Sequence, residues 1–214
     1  MFSAFINLSE NADIHKQRAE GSGSDEPLVT GPRYDGFPAW SRDGRYLVFT
    51  SVEGAMGSPP DIWMVPTDGD QTPVPFLETP HEEGFPTLSP NGGYLAYTSN
   101  QSGGEEVYVK PFPSGDGQWL VSAGSRPKWN EDGTELFYVS DDKLMVVDVS
   151  TSGVFSAGIP KALFSAEQVG ADDLATNYDV SADGQQFVVV QNIETKEQGT
   201  ITVVQNWIKE FEEP

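Results

Sequence analysis

The sequence predicts an all-β protein: a β-propeller of about four to five four-stranded antiparallel blades, with the first and last blades incomplete. Three observations carry this expectation. A unit recurs four times, with its glycines Gly44, Gly92, Gly133 and Gly184 spaced by 48, 41 and 51 residues, a period typical of propeller blades or solenoid repeats. Each unit joins a short apolar segment to an aromatic and β-branched run through an Asp-Gly or Asn-Gly reversal. The 22 Gly and 16 Pro among 214 residues favour many turns over long helices.

The elements follow in order. Residues 1–35 read as a blade without its first strand, with strands near 2–6, 12–17 and 27–29. The blade over 36–83 opens on Phe37-Pro38-Ala39-Trp40-Ser41-Arg42-Asp43-Gly44 and continues in strands near 46–50, 61–66 and 74–77. The blade over 84–124 repeats this with Phe85-Pro86-Thr87-Leu88-Ser89-Pro90-Asn91-Gly92 and strands near 94–98, 106–110 and 118–121. In the blade over 125–175, Arg126-Pro127-Lys128-Trp129-Asn130-Glu131-Asp132-Gly133 leads into strands near 136–139, 143–148 and 162–164. The partial blade over 176–211 has Asn177-Tyr178-Asp179-Val180-Ser181-Ala182-Asp183-Gly184 and strands near 187–190 and 200–205.

Each reversal has a local cause. Gly supplies the positive φ, and Asp or Asn before it tolerates the left-handed region. The second strand of each unit is nearly continuous in apolar residues, as a strand covered on both faces should be. Prolines beside the fourth strands suit an edge, where a missing donor is tolerated and further pairing is blocked.

Trp40-Ser41-Arg42-Asp43-Gly44 and Leu88-Ser89-Pro90-Asn91-Gly92 resemble the WD40-like (PD40) repeats of TolB and its relatives, approximately W-S-P-D-G before an apolar strand. The resemblance runs over most of the chain, residues 1–211. It implies a TolB-like propeller with protein or peptide partners; no cofactor is expected, since no cofactor-binding motif occurs. The ending Ile201-Thr202-Val203-Val204-Gln205-Asn206-Trp207 resembles that of TolB-like propellers attached to bacterial serine/threonine kinases and related sensors. Three full blades flanked by partial ones leave three readings: the C-terminal part of a larger propeller, an unorthodox closure, or pairing with a second copy. A fragment-like chain whose exposed inner edge promotes association is favoured, with a homo-oligomer through the incomplete blade edges as one form of it.

Charge excludes several classes of partner. The chain has 33 Asp+Glu against 12 Lys+Arg, a net charge of −21 at pH 7. A field of that sign repels phosphate backbones and anionic membrane surfaces, and such an acid excess is compatible with a salty environment. No apolar stretch approaches the length of a transmembrane helix. The start, Met1-Phe2-Ser3-Ala4-Phe5-Ile6-Asn7, does not read as a secretory signal. A true start at Met1 would make the protein cytoplasmic, with the periplasm as the alternative. With no Cys, disulfides, thiolate metal sites and thiol nucleophiles are excluded.

Catalytic motifs are missing. No G-x-S-x-G occurs, so a peptidase of the prolyl-oligopeptidase type has no nucleophile here. His15 sits in a strand pattern and reads as a packing or surface residue. His81, in Thr79-Pro80-His81-Glu82-Glu83-Gly84, reads as a solvated loop residue, because successive residues seldom converge on one metal. Asp68-Gly69-Asp70, Asp141-Asp142 and Asp172-Asp173 do not follow a calcium-binding loop, and Ser102-Gly103-Gly104-Glu105 lacks the phosphate-cradling lysine. Trp40 and Trp129 alternate with Leu88 and Val180 at one repeat position, which marks core packing.

The expected binding surface lies where the connections into the innermost strands gather, at the channel mouth. Tyr34, Asp35, Phe37, His81, Glu82, Phe85, Arg126 and Tyr178 are the candidate ligand-binding residues. The expected function is a non-catalytic binding or scaffolding module for protein or peptide partners. The alternative is the propeller portion of a hydrolase, a peptidase or glycosidase-like enzyme, whose catalytic part lies elsewhere or is built from acidic channel residues.

Overall fold

The computed structural model describes residues 2–7, 12–18, 20, 22–54, 58–165, 178–191 and 200–205. Asp172-Asp173, Asn177 and the ending Asn206-Trp207 lie outside them. The described residues contain no helix and form five antiparallel sheets in chain order. The first is β1 (Phe2–Asn7), β2 (Asp13–Arg18) and β3 (Glu26–Val29). The second is β4 (Tyr34–Trp40), β5 (Tyr46–Val52), β6 (Asp61–Pro66) and β7 (Val74–Leu77). The third is β8 (Glu83–Leu88), β9 (Tyr94–Ser99), β10 (Glu106–Pro111) and β11 (Trp119–Ala123).

The fourth sheet holds β12 (Ser125–Trp129), β13 (Glu135–Ser140), β14 (Lys143–Ser150), β15 (Ser156–Ala157) and β16 (Lys161–Ser165). Here β14 is long enough to pair with both β15 and β16. The two-residue β15 is exposed and carries no apolar alternation, so the sequence gives no sign of it. The fifth sheet is β17 (Tyr178–Val180), β18 (Gln186–Gln191) and β19 (Thr200–Gln205).

The hairpins between first and second strands repeat one set of hydrogen bonds. Ser41 Oγ donates to Asp43 Oδ1 (2.7 Å) and accepts from the Tyr46 N–H (2.9 Å), while the Gly44 N–H closes the turn on the Ser41 carbonyl (2.8 Å). Ser89 with Asn91 and Gly92, and Ser181 with Asp183 and Gly184, repeat this arrangement. In the fourth sheet Asn130 Oδ1 replaces the serine hydroxyl, accepting from the N–H groups of Thr134 and Glu135 at 3.0 Å each.

One sequence expectation is corrected here. Positive φ is confined to the glycines of these turns (+70° to +73°), and the preceding Asp or Asn does not share it. The acid's task is acceptance: Asp43, Asp132 and Asp183 each take the N–H two residues on. These bonds favour the ionised carboxylate and pull all three pKa values down, Asp43 to about 2, chiefly through Ser41.

Packing between sheets follows the two-residue alternation of the second strands. Leu47 and Phe49 of β5 pack on Ile14 and Leu28 of the first sheet, whereas Val48 between them packs with Leu95 and Tyr97 of the third. Leu136 and Tyr138 turn back to the third sheet, and Phe137 turns forward to meet Phe187 with ring centroids 5.2 Å apart. Both faces of these central strands are therefore buried, each by a different neighbour. Each fully buried Leu or Phe contributes roughly 1.5–3 kcal/mol. In β18, Phe187 and Val189 face the fourth sheet, while Val188 and Val190 remain 41% and 50% exposed.

Candidate functional site

The first strands of the second, third and fourth sheets share a bulge at an X-Pro pair. Register slips between Gly36 and Ala39, between Gly84 and Thr87, and between Ser125 and Lys128. Proline cannot donate to the ladder, so the strand must break pairing there. The residue before each proline adopts the left-handed region: Phe37 at φ +51°, Phe85 at +53° and Arg126 at +58°. For bulky side chains this costs on the order of 1–3 kcal/mol and persists only where the surroundings over-determine it.

Those surroundings are hydrogen bonds from the preceding sheet. Thr50 Oγ1 accepts the Phe85 N–H (3.2 Å), and Thr98 Oγ1 accepts the Arg126 N–H (3.0 Å). Two residues earlier, the N–H groups of Asp35, Glu83 and Gly124 donate to the carbonyls of Ala12, Pro60 and Glu105 at 2.8–2.9 Å. Each inner strand is thus fastened to the sheet before it.

The bulges bring three side chains together. The Phe37 and Phe85 rings are tilted with centroids 4.5 Å apart, and the Arg126 guanidinium carbon lies 4.5 Å from the Phe85 centroid. With Pro38, Pro86, Pro127, Ala39, Thr87 and Lys128 they line a cavity of about 80 Å³. Arg126 is buried, its carbonyl accepting from the Tyr178 hydroxyl (2.6 Å). Tyr178, expected at the rim, is itself buried in the core between the fourth and fifth sheets; its hydroxyl supports the Arg126 backbone.

Asp35 is also buried rather than at an open rim. It accepts from Ser51 Oγ at 2.6 Å, and burial raises its pKa against the lowering effects of that bond and of Arg33. Tyr34, His81 and Glu82 are exposed. His15 Nδ1 lies 3.0 Å from Asp25 Oδ2, away from these residues. Among the described residues, no group of three or more His, Asp or Glu is arranged to hold a metal ion. None of the described helices could cross a membrane, since there are none.

Sequence reasoning missed Glu83, which lies at the repeat position of Asp35. The parallel strings Asp35-Gly36-Phe37-Pro38 and Glu83-Gly84-Phe85-Pro86 carried the signal. Glu83 is 1% exposed; its Oε1 accepts from Thr79 Oγ1 (2.6 Å) and Ser99 Oγ (3.2 Å). Its Oε2 is buried and has no hydrogen-bond partner. Burial foremost, with a contribution from Asp61, raises its pKa. Glu83 lines a second cavity of about 70 Å³ with Pro60, Glu82, Gly84, Thr98, Asn100 and Glu105. Phe85 borders both cavities.

No family model and no curated protein matches the sequence. Solved structures do. TolB from Acinetobacter baumannii superposes with a TM-score of 0.70 at 18% identity, over 94% of this chain and 48% of that one. An oligogalacturonate lyase in complex with manganese gives 0.61 at 14% identity, over 91% of this chain and 54% of that one. A puromycin-hydrolyzing peptidase of Mycobacterium tuberculosis gives 0.61 at 18% identity, over 96% and 35%. The chain therefore spans about half the length of the TolB structure it matches. At these identities the likeness is one of fold, and the fold of this chain is that of the TolB-like β-propellers.

Proposed function

We propose that this chain is a non-catalytic binding module that seats a protein or peptide partner against the bulged inner strands. The observation that supports this reading is the cavity shared by Phe37, Phe85 and Arg126, one residue from each of three successive repeats. The backbone is the same in all three, while the side chain is Phe in two and Arg in the third, which suits a rigid scaffold presenting a chosen surface. Two aromatic rings and an arginine are residue types enriched at protein-binding hot spots. A nidogen/laminin complex among the structures of similar fold is compatible with a protein-interacting role. Association of copies through the face carrying Val188 and Val190 belongs to the same reading.

The test is selection of displayed peptides on the intact chain, followed by titration of the selected peptides against variants. Phe37→Ala and Phe85→Ala should each weaken binding by about tenfold or more. Leu120→Ala, on an outer strand and 54% exposed, should leave binding unchanged. Equal effects of all three, or none, would remove the inner strands as the binding surface.

A further inference from the structure

We propose that the cavity containing Glu83 is a seat for a cationic side chain, lysine or arginine, supplied by the partner; the inference deepens the binding reading above and rests on it. The lining carries three acidic residues, Glu82, Glu83 and Glu105, and neither lysine nor arginine. An acidic lining alone would mean little, since such residues are usually solvated. Glu83 is different: it is 1% exposed, and one of its two carboxylate oxygens has no partner. A buried carboxylate oxygen without a donor is costly, and a cation beside it removes that cost.

The preceding repeat shows how the chain meets the same need internally. Asp35 stands where Glu83 stands, and the Arg33 guanidinium, two residues earlier, contributes a favourable charge to it. Arg33 is held over the Trp63 ring (3.9 Å to the centroid) and lies 3.5 Å from Glu53. In the Glu83 repeat the position of Arg33 is taken by His81, which is exposed and exerts a favourable but smaller influence on Glu83, the least of the causes acting on it. Asp61 adds negative charge near Glu83. One repeat thus places an arginine beside its buried acid, and the next places a histidine there.

A divalent metal is a poorer occupant, because no set of three ligating side chains converges among the described residues. An alkylammonium or guanidinium group supplies several donors at once, and its aliphatic stem can lie along Phe85 and Pro60, which also line the cavity. Arg126 lies over the Phe85 ring (4.5 Å to the centroid) and lines the neighbouring cavity.

The experiment is an amide-resolved NMR titration of the full chain with Nα-acetyl-lysine methylamide, the arginine analogue and the norleucine analogue. The two cations should give saturable shifts at Gly84, Phe85 and Asn100, and norleucine should not; the tighter cation identifies the side chain used. Glu83→Gln should weaken cation binding by about tenfold. His81→Arg, at an exposed position that does not threaten folding, should weaken it as well by supplying a permanent guanidinium from within. Equal shifts with norleucine, or cation binding unchanged in both variants, overturns the seat. Because the probes need no partner, their binding stands apart from peptide selection. Loss of the partner surface with probe binding retained removes only the broader reading.

Discussion

Glu83 and Asp43 illustrate how opposite surroundings give carboxylates opposite effects on stability. Glu83 is enclosed, and burial raises its pKa in the folded protein. The stability associated with its neutral form is fully present below the unfolded value, about 4.3, and is lost as pH rises through the folded value. Asp43 is held ionised by Ser41 and Arg45, with a folded pKa of about 2. Its contribution is present above the ordinary Asp value, about 3.9, and is lost as pH falls through about 2. Glu83→Gln keeps the oxygen that accepts from Thr79 and Ser99 but cannot ionise. The melting temperature of this variant should therefore gain on that of the parent as pH is raised from 4 to 8. Thermal unfolding scans across that range provide the check, and a constant difference would mean that Glu83 ionises without penalty.

Glycines at two kinds of strand junction differ in what they tolerate, and the difference separates what the sequence reveals from what it conceals. Gly44 sits in a hairpin turn at φ +71° with open space where a Cβ would be. Gly44→Ala should cost only the left-handed backbone preference, about 1–2 kcal/mol. Gly124 precedes β12 at φ +140°, and a Cβ there would lie 2.5 Å from the Val139 carbonyl oxygen and 2.7 Å from the Tyr138 ring. Gly124→Ala should therefore cost about 3–5 kcal/mol, the backbone preference plus overpacking. Urea unfolding of both variants at pH 7 measures this; equal losses would contradict the close approach at Gly124. The hairpins were legible because Ser41, Asp43 and Gly44 satisfy one another within a few residues. The second strands were legible because apolar runs announce burial on both faces. The bulges at Phe37, Phe85 and Arg126 were not, since Thr50 and Thr98 stabilise two of them from a different sheet. The same cause hid the burial of Arg126 and Tyr178, whose contact joins residues 52 positions apart. Sequence set Phe37 and Phe85 just before the inner strands, whereas both lie within β4 and β8, and the 4.5 Å approach of their rings depends on bulges in two different sheets.

At the scale of the whole molecule, a net charge of −21 acts against the compact state. Only 12 basic side chains are present, and several are already engaged in exposed pairs such as Arg42 with Glu131 (3.1 Å) and Lys161 with Asp148 (3.2 Å). Such pairs contribute roughly 0–1 kcal/mol each and cannot offset the acid surplus. Equivalent hairpins add to it: Asp43, Asp132 and Asp183 occupy matching turns in three of the four repeats, Asn91 standing in the other. Adding salt weakens both repulsion and ion pairs, but repulsive carboxylates outnumber the available cations. The Debye length falls from about 10 Å at 0.1 M to about 3 Å at 1 M, so repulsion between surface carboxylates is progressively screened. The thermal midpoint should therefore rise between low and molar KCl, most steeply in the lower part of that range, where the screening length shrinks fastest. A rise that continues linearly to molar salt would point to general strengthening of apolar burial instead. An unchanged or lower midpoint at molar KCl would show that the acid surplus imposes no net repulsion on the folded chain.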